Sequence, residues 1–564
     1  MRHLVIETFT IERHKDNMLN KPIIYQVIPR LFSNYNETRK HNGSKEENGC
    51  GKMADINEKA LKSIADLGVT HVWYTGIIRH ATAEHNNPAI TKGKAGSPYA
   101  ITDYYDVNPD LAKNEKKRMA EWEALIERTH AAGLGVLMDF VPNHVAREYK
   151  SECKPAGVQD LGEGDHPEWA FSPLNNFYYL PGERFTMDKD LQGYDEMPAK
   201  VTGNDCWTSH PSENDWYETV KLNYGVFYQG GREKQFDPIP STWQKMLDIL
   251  LYWAGKKIDG VRVDMAEMVP VEFFAWAIAK LRKKYPKFLV IGECYDPGQY
   301  DAYLQAGFNY LYDKVGMYDY LRGVTSRNWP AEGITHQWMQ HGDERLKHML
   351  YFLENHDEQR IASGFFCGDG ACAEPAMIVA ATLNQSAVMV YMGQELGERG
   401  MDMEGFSGID GRTTIFDYWG VKSIQAWANK GKYDGGKLSP EQKELRGFYR
   451  QLLSLARQNR AIQKGAMYDI TYAQGEGFNK HEQFAYIRHI GTETLLIVVN
   501  FHDRAQQMHV RIPNDAFVYL EMEERQRATA TDLLRGGKQE ISFVANEPIE
   551  VTLPAWRGVI LKIK

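Results

Sequence analysis

Residues 258–294 read IDGVRVDMAEMVPVEFFAWAIAKLRKKYPKFLVIGEC, and the architecture follows from how that run is parsed. Its ends are short apolar segments, Gly260–Asp264 and Leu289–Glu293. Between them Val271, Phe274, Ile278 and Leu281 recur at helical spacing. Strand, helix and strand in that order form a crossover unit whose two strands lie parallel in one sheet.

The same alternation extends in both directions, from about residue 22 to residue 400. Working outward, the strand candidates are Ile23–Phe32, Thr70–Ile77, Val136–Phe140, Phe308–Tyr312, Leu350–Glu354 and Ala387–Met392, which with the two above make eight. Helical stripes fill the gaps. Asp55-Ile-Asn-Glu58 reads as a cap, followed by Ala60, Leu61, Ile64 and Leu67 and closed by Gly68; Met119, Trp122, Leu125, Ile126 and Thr129 repeat the pattern up to Gly133. Eight strands with intervening helices predict an α/β fold, a closed (β/α)8 TIM barrel.

Two segments break the rhythm. From Val145 to Phe236 the chain is rich in aromatics, Pro, Gly and Asn without a helical stripe, which predicts an irregular insertion, domain B, after the third strand. After about Ala466 come short alternating runs, Phe484–Ile490, Thr494–Asn500, His509–Ile512, Phe517–Met522, Ile549–Leu553 and Gly558–Ile563, the pattern of a C-terminal antiparallel β-sandwich. The expected domains are therefore a barrel over 1–144 and 237–465, an insertion over 145–236 and a sandwich over 466–564.

Composition narrows the function. The 564 residues carry 66 Lys and Arg against 75 Asp and Glu, a net charge of −9, so nothing attracts a nucleic-acid backbone or an anionic membrane. The six cysteines form no CxxC pair, and reduced thiols are the default reading. The first twenty residues lack the apolar centre of a secretory signal, and the most apolar stretch, Ala376–Met392, is interrupted by Thr382, Asn384, Gln385 and Ser386. A soluble, cytoplasmic protein is expected. Met18 offers a second start, which would leave the first 17 residues as an extension. Oligomeric state is left open by the sequence.

Catalytic groups of a barrel collect where strands run out into their following loops. Here those places hold Asp139-Phe-Val-Pro-Asn143-His144, Gly260-Val-Arg262-Val-Asp264, Gly292-Glu293 and Asn355-His356-Asp357. Retaining glycosidases need two carboxyls about 5 to 5.5 Å apart, one to attack the anomeric carbon and one to protonate the leaving oxygen. Adjacent strands, about 4.8 Å apart, supply that separation. Arg262 and Asp264 share a face of their strand, and a guanidinium beside a carboxylate keeps it ionised, so Asp264 suits the nucleophile. Glu293 ends an apolar run, which suits the proton donor. Asp357 reads as a third carboxylate holding sugar hydroxyls, with His144 and His356 as hydrogen-bond donors.

DFVPNH, GVRVD, GEC and ENHD, in this order and separation, resemble the four signature regions of the α-amylase family of glycoside hydrolases. Gly68-Val-Thr-His-Val-Trp73, Gly96-Ser-Pro-Tyr99-Ala-Ile-Thr-Asp103 and Gly393-Gln-Glu395 are similar to further segments of that family, so the resemblance covers nearly the whole chain. It implies Asp264 as nucleophile, Glu293 as acid/base and Asp357 as transition-state stabiliser. It also implies Arg262, His144 and His356 as ligands of the sugar at subsite −1 and Tyr99 as a stacking tyrosine. The implied substrate is an α-linked glucan, most directly a malto-oligosaccharide.

Departures from the family pattern carry information. Where many α-amylases follow the nucleophile with a Lys-His pair, this chain has Glu267 and Met268. Lys221-Leu-Asn223 stands where calcium-dependent members have Asp-Leu-Asn and is closer to the neopullulanase and cyclomaltodextrinase branch, whose N-terminal β domain is missing here. An ammonium at a calcium ligand's place disfavours that metal, although Asn143 could still serve as a ligand; no cofactor is required. Trp207, Trp216, Tyr217 and Tyr224 could stack on glucose or pack the insertion, and Cys294 should point away from the pocket. Three activities share the residues: hydrolysis, transfer of the glycosyl unit to another sugar as a glucanotransferase, and, remotely, sugar binding without catalysis. Endo or exo action and α-1,4 or α-1,6 preference stay open at this stage.

Overall fold

The computed structural model describes residues 21–564; the reading of the first 17 residues falls outside them. Eight parallel strands close on themselves: β1 (Ile23–Val27), β2 (His71–Tyr74), β3 (Gly135–Phe140), β4 (Gly260–Val263), β5 (Leu289–Gly292), β6 (Tyr310–Tyr312), β7 (Met349–Phe352) and β8 (Ala387–Tyr391). β1 pairs with β8 on one side, Ile23 against Val388, and with β2 on the other, Ile24 against His71. The TIM barrel expected from the alternation is thus present.

Period-two alternation sorts the strand side chains into two cores. Ile24, Trp73, Leu137, Leu289, Ile291, Tyr312, Leu350, Phe352 and Met389 fill the barrel interior. Tyr25, Val72, Tyr74, Val136, Met138, Val261, Val263 and Val290 face the surrounding helices. Helix α1 (Glu58–Ala65) buries Ala60, Leu61 and Ile64, and its cap is Asn57, whose side chain accepts from the Lys59 and Ala60 N–H groups, in place of the expected Asp55. Helix α2 (Arg118–Ala131) buries Trp122, Leu125, Ile126 and Thr129, while α3 (Val271–Lys284) buries Phe273, Phe274, Ala277, Ile278 and Leu281.

After β3 the chain leaves the barrel and returns through the helix Ser241–Gly255. In between, short ribbons such as His144–Ala146 with Thr219–Lys221 surround a small core of Tyr178, Leu180, Phe185, Met187, Ala199, Val201 and Tyr217. A hairpin absent from the sequence reading, Ile78–His80 with Ile101–Val107, projects after β2 and carries Tyr99 toward the same rim.

The C-terminal region is a six-stranded antiparallel sheet facing a two-stranded one across a shared core that includes Ile487, Leu496, Met508, Val510, Val551 and Leu561. The strand expected at Phe517–Met522 is instead the end of a helix, Asn514–Tyr519. Ala516, Phe517 and Leu520 turn inward while Val518 and Tyr519 are exposed, a helical period that alternation had disguised. Strands Ala466–Asp469, Arg525–Asp532 and Lys538–Phe543 complete the sheet and escape a hydrophobicity reading because their outward residues are polar.

Cys367 and Cys372 are joined by a disulfide, which corrects the expectation of reduced thiols at those two positions; Cys50, Cys153, Cys206 and Cys294 are free. No helix among the described residues is long and apolar enough to cross a membrane.

Candidate active site

The C-terminal ends of β3, β4, β5 and β7 surround a cleft of about 350 Å3 lined in part by Tyr99, His144, Asp264, Glu293 and Asp357. Because Leu137 points into the barrel, Asp139 does as well, and on the neighbouring strand Arg262 shares that inward face. Arg262 is fully buried and is the hub. One terminal nitrogen lies 2.7 Å from Asp264 Oδ1 and 3.6 Å from Asp139 Oδ1; the other lies 2.8 Å from Glu293 Oε1. Its Nε donates to the Tyr312 hydroxyl (3.3 Å), and the rings of Trp73, Tyr99 and Tyr312 surround the guanidinium at 5.3 to 5.5 Å.

Asp264 and Glu293 are held next to each other by backbone. Val263 pairs with Gly292, the Glu293 N–H donates to Val263 O (3.0 Å), and the Ala266 N–H donates back to Glu293 O (2.9 Å). Met265, directly after Asp264, adopts a left-handed conformation at φ +44°. That costs on the order of 1 kcal/mol for a residue with a Cβ, and it aims the Met265 N–H at Glu293 Oε2 (2.8 Å). The Tyr295 hydroxyl donates to Glu293 Oε1 (2.7 Å). The carboxyl of Glu293 is therefore met by three polar partners, which corrects the apolar surroundings expected from Leu289, Val290 and Ile291.

Asp357 lies at the cleft's edge, with its Oδ2 3.1 Å from His356 Nε2. His356 is buried, pairs with Gln26 Nε2 through Nδ1 (2.8 Å), stacks on Tyr99 at 5.3 Å and is hydrogen-bonded to the Tyr99 hydroxyl. His144 is buried beside Trp216, ring centres 5.2 Å apart. All seven residues singled out in the sequence, Asp264, Glu293, Asp357, Arg262, His144, His356 and Tyr99, meet at this one rim. Of the four insertion aromatics only Trp216 lines the cleft. Tyr217 and Tyr224 are buried, and Trp207 packs on Tyr178 and Tyr228.

Electrostatics depart from the simple expectation for the nucleophile. Burial pushes the Asp264 carboxyl well above the usual carboxylate range, with the Arg262 guanidinium opposing and the Glu293 charge adding to the rise. Burial likewise raises Asp139 to about 7 against Arg262 and, reinforced by the Glu293 charge, raises Asp357 to about 7. Asp357 exposes 43% of its side chain to the cleft, yet the low-dielectric walls around it still dominate. Burial thus raises three carboxyls, Asp264, Asp139 and Asp357, around one fixed cation. Burial and the nearby Lys221 and Lys92 hold His144 down at about 3; burial and Arg262 hold His356 well below its ordinary value. Both imidazoles are neutral near pH 7.

Beyond the rim, Lys221 is buried with its ammonium 2.9 Å from Asn143 Oδ1 and 2.5 Å from Asp205 Oδ1, while Asn143 Nδ2 donates to Gly203 O (2.8 Å). A cation already occupies the place a divalent ion would need, so these residues do not fit calcium. Sequence reasoning did not assign Asp139, although it sits in the quoted DFVPNH run, nor Tyr295, since an aromatic beside Glu293 reads equally well as packing.

A family model described as the catalytic domain of alpha amylase matches residues 26–430. Among curated proteins, Maltase 1 of Drosophila virilis is 26% identical over 271 residues, covering 46% of this chain and 35% of that protein. The Alpha-amylase MalA of Haloarcula japonica is 25% identical over 383 residues, covering 67% of this chain and 44% of that protein. The chain thus spans less than half the length of either relative. A maltogenic alpha-amylase from Thermotoga neapolitana superposes with a TM-score of 0.63 over 96% of this chain and 98% of that one at 19% identity, a likeness of fold.

Proposed function

The chain belongs to the α-amylase family, and from that premise we propose that it is a retaining glycosidase that hydrolyses α-glucosidic bonds, α-1,4 bonds foremost, in malto-oligosaccharides or related α-glucans. In this reading Asp264 attacks the anomeric carbon and forms a glycosyl ester, Glu293 protonates the departing oxygen and then deprotonates the incoming water, and Asp357 with neutral His356 and His144 holds the ring hydroxyls. Arg262 orients both working carboxylates, and Tyr99 supplies a stacking face beside the hexose.

The observation that carries the reading is the shared guanidinium. Asp264 and Glu293 contact two nitrogens of Arg262 at 2.7 and 2.8 Å, and this gathering of two carboxyls from neighbouring strands on one guanidinium supports a double displacement. The same reading takes Lys221 as the resident cation of the insertion, with no calcium at that place.

Products formed from maltoheptaose, pullulan, isomaltose and sucrose, resolved by chromatography, test it. Maltoheptaose should be consumed, and Asp264→Asn and Glu293→Gln should each lower turnover by at least about a thousandfold with the melting temperature preserved. Full activity in either variant would overturn the assigned roles.

A further inference from the structure

Glu267 stands where many members of the family hold a lysine, yet it is not among the residues lining the cleft. Its Oε2 accepts the backbone N–H groups of Tyr295 and Asp296, both at 2.9 Å, and lies 3.7 Å from the Cys294 thiol. Three consecutive residues following Glu293 are thus gathered on one carboxylate oxygen carried by the loop after β4. Cys294 points away from the cleft, and burial pushes its thiol up to about 12, so it contributes an uncharged contact.

Fixing the Tyr295 backbone fixes where its ring goes. The ring enters the cleft wall and its hydroxyl donates to Glu293 Oε1 at 2.7 Å, on the oxygen that Arg262 also holds, while Oε2 takes the Met265 N–H. These partners differ in kind. Arginine and a backbone N–H can only donate, whereas a phenol can donate to a carboxylate and, after rotating, accept from a carboxylic acid. Burial and the Glu293 charge raise the phenol well above its ordinary value, so the hydroxyl keeps its own proton throughout.

We propose that Glu267 and Tyr295 form a positioning pair for the proton donor, in which Glu267 clamps the loop after β5 and Tyr295 keeps Glu293 aimed in both of its protonation states. The inference rests on the role given to Glu293 above. When Glu293 passes its proton to the leaving oxygen, the Tyr295 O–H donates to the new carboxylate. When Glu293 takes a proton from water, the phenol oxygen accepts from the new O–H. No bond to Tyr295 hydrogen is made or broken in the cycle, and the pair acts through Glu293 alone.

The test is the pH dependence of kcat/KM on maltoheptaose for Tyr295→Phe, Glu267→Ala and Glu267→Gln, beside Glu293→Gln as control, each with a melting curve. Tyr295→Phe should lose about tenfold in kcat with KM within about twofold, and the basic limb of its profile should move to higher pH by about 0.5 to 1 unit, because a donor to the carboxylate is gone. Glu267→Ala should shift that limb the same way. Glu267→Gln, whose amide oxygen still accepts both N–H groups, should restore the wild-type profile.

An unmoved basic limb in Tyr295→Phe with Glu293→Gln inactive would overturn the pair and leave the proton-donor role standing. Glu267→Gln as impaired as Glu267→Ala, with both folded, would overturn the clamp. An active Glu293→Gln would overturn the pair together with the reading it rests on.

Discussion

Asp139 lies on the inward face of β3 with Oδ2 accepting from the Trp73 indole N–H at 3.1 Å and Oδ1 3.6 Å from Arg262, where it accepts no hydrogen bond. Burial raises its carboxyl to about 7, so between the unfolded value near 4 and that pH the folded chain binds the proton more tightly than the unfolded chain does. Stability contributed by this group is therefore complete at low pH and falls as pH climbs toward 7, at a slope of up to about 1.4 kcal/mol per unit. Asp139→Asn removes the titration. The difference in unfolding free energy between variant and wild type, from urea melts at pH 5, 6, 7 and 8, should rise in the variant's favour with pH. Parallel profiles would show that Asp139 does not hold its proton so tightly. Asp139 illustrates a limit of sequence reading at this scale. Its side-chain direction follows from alternation, but its proton affinity depends on how deep the barrel closes around it and on how many carboxyls share one arginine.

At the scale of elements, the ribbon of His144–Ala146 with Thr219–Lys221 ties the insertion to the barrel rim through the Lys221 ammonium, which bridges Asn143 and Asp205. Chelation by EDTA should leave both the activity and the melting temperature unchanged. Lys221→Asp, which gathers three oxygen-bearing side chains and removes the cation, should be destabilised by about 3 kcal/mol and be stabilised in millimolar calcium as wild type is not. Loss of wild-type activity on chelation would contradict this. The barrel strands were readable because each is a short apolar run and most are joined by segments with a helical period. The hairpin Ile101–Val107 was not readable, since ITDYYDV mixes acidic residues into a strand that other side chains bury on both faces. Nor was the helix Asn514–Tyr519, whose six residues are too few to show a period. Tyr295 carried no signal at all, because its role depends on a contact with Glu267 that is separated from it by a whole helix and strand.

Across the whole molecule, closure of the barrel is what converts four scattered motifs into one site, and the C-terminal sheet is locked onto that barrel by buried charge. Arg488 donates to the carbonyls of Leu383, Ala461, Ile462 and Gly465, and Glu374 pairs with Arg535 and Arg557. That lock holds the helix Glu374–Thr382 against the sheet. The motif residues and their order were legible because catalysis demands specific chemical groups at strand ends. Their mutual distances were legible only through the assumption of closure, which the pairing of β8 with β1 satisfies. Closure makes β4 and β5 neighbours whose terminal carboxyls share Arg262, and the proposed double displacement predicts a definite stereochemistry. Proton NMR of the sugar released in the first moments of maltoheptaose cleavage, before mutarotation, reads that stereochemistry directly. The account predicts that the new reducing end appears as the α-anomer; initial release of the β-anomer would contradict it.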